Sequence, residues 1–108
     1  MVRDELLRRR ASAEAEAATL AGDLEALFTA SRDSNADDEH DPEGATIGFE
    51  RAQLTALLAT ARERIAEVDD ALRRVDMATY GICERCGRPI AEERLAARPF
   101  ARCCIACA

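Results

Sequence analysis

Two Cys-x-x-Cys pairs near the end of the chain restrict its fold more than any other feature of the sequence. Cys83 and Cys86 form the first pair, Cys104 and Cys107 form the second, and seventeen residues separate the pairs. This spacing is typical of a zinc site with four thiolate ligands. Four protein ligands leave no coordination position for water, so the predicted zinc is structural. Two disulfides or two redox dithiols are the alternative interpretation.

The segment that contains these cysteines is too small to fold unaided. Residues 80–108 are fewer than thirty, and a segment of this size usually needs a metal or disulfides. Structural zinc contributes roughly 10–16 kcal/mol of apparent binding free energy, enough to decide whether such a segment folds. We expect four large apolar side chains to pack around the metal: Ile90, Leu95, Phe100 and Ile105.

The rest of the chain has the heptad spacing of two long helices. The seam of the first helix, from about Asp4 to Ser31, contains Leu6, Arg10, Ala13, Ala17, Leu20, Leu24 and Leu27. The seam of the second contains Leu54, Leu58, Ala61, Ile65, Val68, Leu72 and Val75. The sequence therefore predicts an all-α fold with a small zinc-binding module. An antiparallel two-helix coiled-coil hairpin over residues 1–79 precedes a C-terminal C4 zinc finger over residues 80–108. Pairing of each helix with another copy of itself is the alternative.

A polar segment at about residues 32–41 separates the two helices. It contains no large apolar side chain, and its Ser, Asn and Asp residues favour turns. Pro42 is typical of the first position of the second helix. We expect either an acidic tip that meets a basic or Mg²⁺-containing surface of a partner, or a solvated turn. The acidic residues that we assign to this tip are Asp37, Asp38, Asp41 and Glu43.

Composition and charge exclude several classes of function. The net charge is −6 and all fifteen basic residues are arginine, so phosphate backbones should repel the chain as a whole. We expect no sequence-specific DNA binding. His40 is the only histidine and has no partner base, so acid–base catalysis is not expected. No signal peptide or membrane-spanning run is visible, which favours the cytoplasm and reduced cysteines.

The residues around the cysteine pairs extend the pattern beyond the four sulfurs. The chain reads Tyr-Gly-Ile-Cys-Glu-Arg-Cys-Gly at 80–87 and Arg-Leu-Ala-Ala-Arg-Pro at 94–99, with Ile90 between these stretches. Together with the second pair at 104–107, these residues resemble the DksA/TraR family of C4 zinc-finger transcription regulators. The resemblance is specific over residues 80–107 and looser over the predicted hairpin.

The resemblance implies a function for the whole chain. It implies a regulator, not an enzyme, that binds RNA polymerase through the secondary channel and directs its acidic coiled-coil tip at the catalytic centre. Members often act together with the alarmone ppGpp, and we expect a monomer with structural zinc. Cys83, Cys86, Cys104 and Cys107 match the metal ligands of the family. The sequence stops at Ala108, so the C-terminal helix of many relatives is not expected.

The tip matches the family only in part. Asp41 matches the first tip aspartate, whereas the second tip aspartate falls on Gly44 and the tip alanine falls on Thr46. Two acids with the same three-residue separation occur slightly earlier in the chain, as Asp38 and Asp41.

Two other functions are compatible with the residues alone. A zinc ribbon could bind nucleic acid through the arginines of the module. A thiol-based redox sensor could release zinc on oxidation, with Cys103, which adjoins Cys104, as a candidate redox thiol.

Overall fold

The computed structural model describes residues 2–33 and 42–108, which are mostly helical. Helix α1 covers Val2–Asp33, α2 covers Pro42–Asp76, and α3 covers Glu92–Ala97. Within these residues there is no strand, only an isolated antiparallel bridge between Ile82 and Pro89. None of the described helices has an apolar stretch long enough to span a membrane. The predicted all-α class is confirmed, and the short helix α3 is an addition to it.

The ends of α1 and α2 lie close to those expected from the sequence. Helix α1 continues to Asp33, with Arg32 in a last turn where positive charge interacts favourably with the helix dipole. Pro42 begins α2, as predicted from the preference of proline for the first helical turn. The tip residues Asp37, Asp38 and Asp41 lie outside the described residues, so their role stays a prediction.

A Schellman motif ends α2 and turns the chain toward the cysteines. The amide of Thr79 donates to the carbonyl of Arg74 at 2.9 Å, and the amide of Ala78 donates to the carbonyl of Val75 at 3.2 Å. Ala78 has a φ of 59° where this motif usually has glycine. The heptad pattern stops here because the chain leaves the helix.

Contacts divide the chain into two compact units, and the first contains the metal-binding module. This zinc-module unit consists of Met1–Ser12 with Arg64–Ala108. Leu6, Val68 and Ala71 form its buried core, so the start of α1 packs against the end of α2. Four half-buried apolar side chains pack against this core: Leu72, Val75, Tyr80 and Phe100.

Arg10, the polar interruption of the first seam, has a partner on α2. Its Nε donates to Oδ1 of Asp69 at 2.5 Å across the two helices. Arg3 and Asp76 form a second ion pair between the same helices. A charged seam position is therefore tolerated because the guanidinium reaches a carboxylate at the edge of the seam.

The second unit, the helical unit, consists of Ala13–Glu63. Among the described residues of this unit, the buried ones are Ala13, Leu58 and Ala61, all at predicted seam positions. The guanidinium carbon of Arg51 on α2 lies 5.3 Å from the centroid of the Phe28 ring on α1, a cation–π distance. Here the end of α1 faces the start of α2, so the antiparallel pairing of the two helices is confirmed. The predicted boundary between domains 1–79 and 80–108 stays a prediction.

Replacing Gly22 with alanine should stabilise the protein. Gly22 is exposed within α1, and an added Cβ would meet no atom within 4 Å. Because alanine restricts the unfolded chain more than glycine, we expect the unfolding free energy to rise by about 0.5–1 kcal/mol. Denaturant unfolding followed by circular dichroism measures this. The control is Gly87→Ala, which should destabilise because Gly87 has a φ of +73°; equal effects of the two substitutions would contradict the argument.

Candidate metal centre

The first cysteine pair lies in a tight turn that its own backbone hydrogen bonds close. The amide of Cys83 donates to the carbonyl of Arg88 at 2.8 Å, and the amide of Gly87 donates to the carbonyl of Cys83 at 2.9 Å. Gly87 has the left-handed φ of +73° that such a turn needs, as the sequence indicated. The turn buries Cys83 almost completely and leaves Cys86 exposed.

The second pair lies in a shorter turn, and the backbone joins the two turns directly. The amide of Cys107 donates to the carbonyl of Cys104 at 3.0 Å. The amide of Glu84, inside the first pair, donates to the carbonyl of Arg102 at 3.0 Å. This bond crosses between the two cysteine pairs and brings their sulfurs together.

The four sulfurs form a cluster of the right size for zinc. Those of Cys83, Cys86, Cys104 and Cys107 all lie within 4.8 Å of one another. The sulfurs of Cys86 and Cys104 are 3.7 Å apart. Zinc–sulfur bonds of 2.3 Å in a tetrahedron require a separation of about 3.8 Å. Four thiolates are a soft donor set that suits zinc, and their number closes the coordination sphere.

The electrostatics of the cluster lower the pKa of two of its thiols and raise that of a third. The backbone amides of Cys104 and Cys86 donate to the sulfur of Cys83 and lower the pKa of its thiol to about 5. Hydrogen bonding to Cys104 and its neighbours raises the pKa of the Cys107 thiol to about 12. Hydrogen bonds from Cys107 also lower the pKa of Cys104. A divalent cation would neutralise the negative charge that the lowered pKa favours at Cys83.

Cys103 lies beside the cluster but does not belong to it. Burial raises the pKa of its thiol, and the negative charge of the Cys83 sulfur raises it further. A raised pKa keeps the thiol protonated and lowers its reactivity. The predicted redox role of Cys103 stays a prediction.

The apolar packing around the cluster agrees with three of the four expected side chains. Ile90 is buried, and Leu95 and Phe100 are half-buried. The expectation for Ile105 is wrong, since 82% of this residue is exposed. Ile105 lies between the two cysteines of the second turn. The sulfurs on either side face the cluster, so the side chain between them points outward.

Sequence analysis did not single out two residues that lie beside the module, Arg74 and Asp70. Arg74 is buried at the end of α2 and contacts the segment before Cys104. Burial acts to raise the pKa of Asp70, but a hydrogen bond from Arg73 and the charges of Arg102 and Arg74 outweigh it and lower the pKa. The spacing of Asp70, Arg73 and Arg74 indicates ion pairs on one helix, but it does not show which arginine is buried.

Of the four residues assigned to the acidic tip, Asp37, Asp38 and Asp41 lie outside the described residues. Glu43 lies in the first turn of α2.

Comparison with known proteins identifies the family. The sequence profile of the prokaryotic dksA/traR C4-type zinc finger matches residues 78–108. A solved structure of transcription factor DksA2 from Pseudomonas aeruginosa is similar over 98% of this chain and 76% of that protein, with a TM-score of 0.83 and 32% identity. The chain belongs to the DksA/TraR family. Its cofactor is structural zinc, which both the family's C4 finger and the clustered cysteines support.

Two curated relatives match over shorter regions. General stress protein 16O of Bacillus subtilis is 38% identical over 69 residues, which cover 64% of this chain and 42% of that protein. The RNA polymerase-binding transcription factor DksA of Caulobacter vibrioides is 52% identical over 40 residues, which cover 37% of this chain and 28% of that protein. The match to this DksA/TraR chain thus spans less than half the length of each relative.

The zinc content of single-cysteine variants should distinguish the four clustered cysteines from Cys103. We expect Cys103→Ser to retain one zinc per chain, because the Cys103 sulfur lies outside the group of four. Cys104→Ser should lose most of the zinc, because three thiolates leave the site open. Elemental analysis of the reduced, purified variants measures the metal content. Loss of zinc from Cys103→Ser with retention in Cys104→Ser would reverse the assignment.

Tyr80 should report on the folding of the module through its titration. Its hydroxyl donates to the carbonyl of Pro99 at 2.7 Å, and burial raises its pKa, with nearby arginines offsetting part of the rise. The folded state therefore favours the protonated phenol, and its contribution to stability is lost as pH rises through the raised pKa. Tyr80→Phe should lower stability at neutral pH by about 1 kcal/mol and remove this alkaline loss.

Absorbance titration tests whether the pKa of Tyr80 is raised. Because Tyr80 is the only tyrosine and the chain has no tryptophan, the phenolate signal belongs to this residue. The control is the same protein unfolded with a chelator and denaturant, where the phenol should titrate near its ordinary pKa of about 10. An equal pKa in both states would contradict the prediction.

Proposed function

We propose that the chain is a transcription regulator that binds RNA polymerase through the secondary channel. The observation that carries the proposal is the likeness to DksA2, which extends over 98% of this chain and so includes both long helices. The name of the Caulobacter relative describes that protein as RNA polymerase-binding. The cytoplasm, where the polymerase works, is the compartment that this function requires.

In this proposal the zinc is held by Cys83, Cys86, Cys104 and Cys107. The metal supplies a rigid cross-link between the two turns and takes no part in a reaction. Because four thiolates occupy the whole coordination sphere, a substrate has no position at the metal. The chain therefore acts as a regulator and not as an enzyme.

The coiled-coil hairpin carries the acidic tip toward the catalytic centre of the polymerase. Asp37, Asp38, Asp41 and Glu43 are the residues we assign to this contact. Such a tip would act through its charge, on basic residues or bound Mg²⁺ near the centre, and through its bulk in the channel. Neither action reads a DNA sequence, and the net charge of −6 agrees with a protein partner.

The chain acts as a monomer in this mechanism. The apolar seams of α1 and α2 already cover each other within the chain: Leu6 with Val68 and Ala71 in one unit, and buried Ala13, Leu58 and Ala61 in the other. A hairpin whose seam is filled from within has no need of a second copy to bury it.

An arginine-lined cavity supports ppGpp as a second ligand. Arg94, Arg98 and Arg102 line a cavity of about 490 Å³ beside Cys103, with Glu67 on its wall. Arginine binds phosphate with two parallel hydrogen bonds, so three arginines around one cavity suit a ligand with several phosphates. Among the described residues, no hydrogen bond or ion pair involves the guanidinium of Arg98, whose backbone amide donates to the carbonyl of Arg94.

Neutralising the tip should weaken the action on polymerase. We expect the double variant Asp38→Asn and Asp41→Asn to reduce the effect on initiation by purified polymerase at least tenfold, because a lost charged contact is worth about 1.5–3 kcal/mol. In vitro transcription measures the effect, and a competition assay measures binding. The control, Asp23→Asn with Glu25→Gln, removes two charges from the exposed face of α1.

The two variants have the same net charge, so they separate the tip from charge in general. Equal activity of the tip variant and the wild type would show that the tip charge is dispensable. A wild-type chain that binds no polymerase would overturn the proposed function itself.

A further inference from the structure

Five consecutive carbonyl groups in front of the second cysteine pair each accept a hydrogen bond from outside their segment. We call residues 99–103 the approach segment, because they lead the chain into Cys104. The carbonyls of Phe100 and Ala101 accept from Arg74 at 3.1 and 3.0 Å, and that of Cys103 accepts from Nε of Arg94 at 2.9 Å. The hydroxyl of Tyr80 and the amide of Glu84 supply the other two, to Pro99 and Arg102.

Four of these five bonds come from side chains, and Arg74 provides two of the four by itself. A guanidinium has its donors in a fixed planar fork, so the two neighbouring carbonyls must sit at defined positions in front of it. Only 8% of Arg74 is exposed. A buried arginine needs a counter-charge, and its Nε lies 3.3 Å from Oδ2 of Asp70. Arg102 of the approach segment contacts the same oxygen at 3.0 Å.

The position of the approach segment decides where the second pair of sulfurs lies. The amide of Glu84, inside the first pair, donates to the carbonyl of Arg102 at 3.0 Å. Directly after the approach segment, the sulfur of Cys104 lies 3.7 Å from that of Cys86. A shift of this segment would therefore separate the two cysteine pairs.

We propose that Arg74, assisted by Arg94, is a positioning residue of the zinc site. It holds the approach segment against α2, so that Cys104 and Cys107 already face Cys83 and Cys86 when the metal arrives. Part of the ordering needed for metal binding is then provided by the hairpin, because the fork of Arg74 belongs to a helix packed on α1. This role extends the zinc site beyond its four ligands and is independent of polymerase binding.

The test compares the metal affinity of Arg74→Met with that of Arg73→Met in the full chain. Arg73 is a matched control, because it lies on the same turn of α2 and also contacts Asp70 but is exposed and donates nothing to the approach segment. Competition with a chromophoric chelator measures zinc affinity. The visible spectrum of the cobalt(II)-substituted protein reports whether the tetrathiolate geometry is kept.

We expect Arg74→Met to weaken zinc binding by about tenfold or more, the usual effect of removing a residue that orients metal ligands, and to alter the cobalt spectrum. Arg73→Met should bind zinc within about twofold of the wild type. Arg74→Lys keeps the positive charge but lacks the planar fork of donors. Compared with Arg74→Met, it should therefore restore the free energy of unfolding more fully than the zinc affinity. If Arg74 has only a structural role, Arg74→Met would lower the free energy of unfolding without changing the zinc affinity of the folded protein.

An unchanged affinity and cobalt spectrum in Arg74→Met would overturn the proposal, and so would an equal loss in Arg73→Met. If Arg74→Met does not fold, Arg94→Gln decides, since it removes only the bond to the carbonyl of Cys103. Weaker zinc binding by folded Arg94→Gln supports the proposal, and wild-type binding refutes it.

Discussion

The convergence of four cysteine sulfurs within 4.8 Å is the constraint on which the last third of the molecule depends. A segment with one short helix and one isolated bridge has little regular structure to hold it. Its tight turns bring the sulfurs together, and backbone amides aimed at Cys83 stabilise negative charge there. Without a cation, neighbouring thiolates in such a cluster repel one another. With a divalent cation, the cluster becomes the strongest cross-link in the module.

The module is also joined to the helices, and the joint is mainly polar. Arg74 reaches from α2 to two carbonyls, Tyr80 reaches from the turn after α2 to a third, and Asp70 balances the buried guanidinium. Phe100 and Tyr80 add apolar contact with the core around Leu6 and Val68. Hydrogen bonds have defined directions, so this joint positions the approach segment more exactly than apolar packing alone would.

The helical pairing depends on a thin apolar seam. Its buried residues include Ala13, Ala61 and Ala71, which contribute little apolar area each, beside a few larger side chains such as Leu6, Leu58 and Val68. Alanine allows two helices to approach closely, and the ion pair of Arg10 with Asp69 fills a position where the seam has no apolar side chain. Because the helices are 32 and 35 residues long, many small contacts along the seam together compensate for its thinness.

The sequence by itself predicted the two long helices of this protein and the four cysteines whose sulfurs the structure brings together. Heptad spacing, a proline at the start of α2, and two Cys-x-x-Cys pairs are local patterns, and each has one dominant physical interpretation. The sequence could not show that Ile105 points outward, that α3 forms, or that Arg74 is buried while Arg73 is exposed. Neighbouring arginines on a helix are chemically identical. Only the tertiary structure distinguishes them, because burial depends on which face of α2 the approach segment covers.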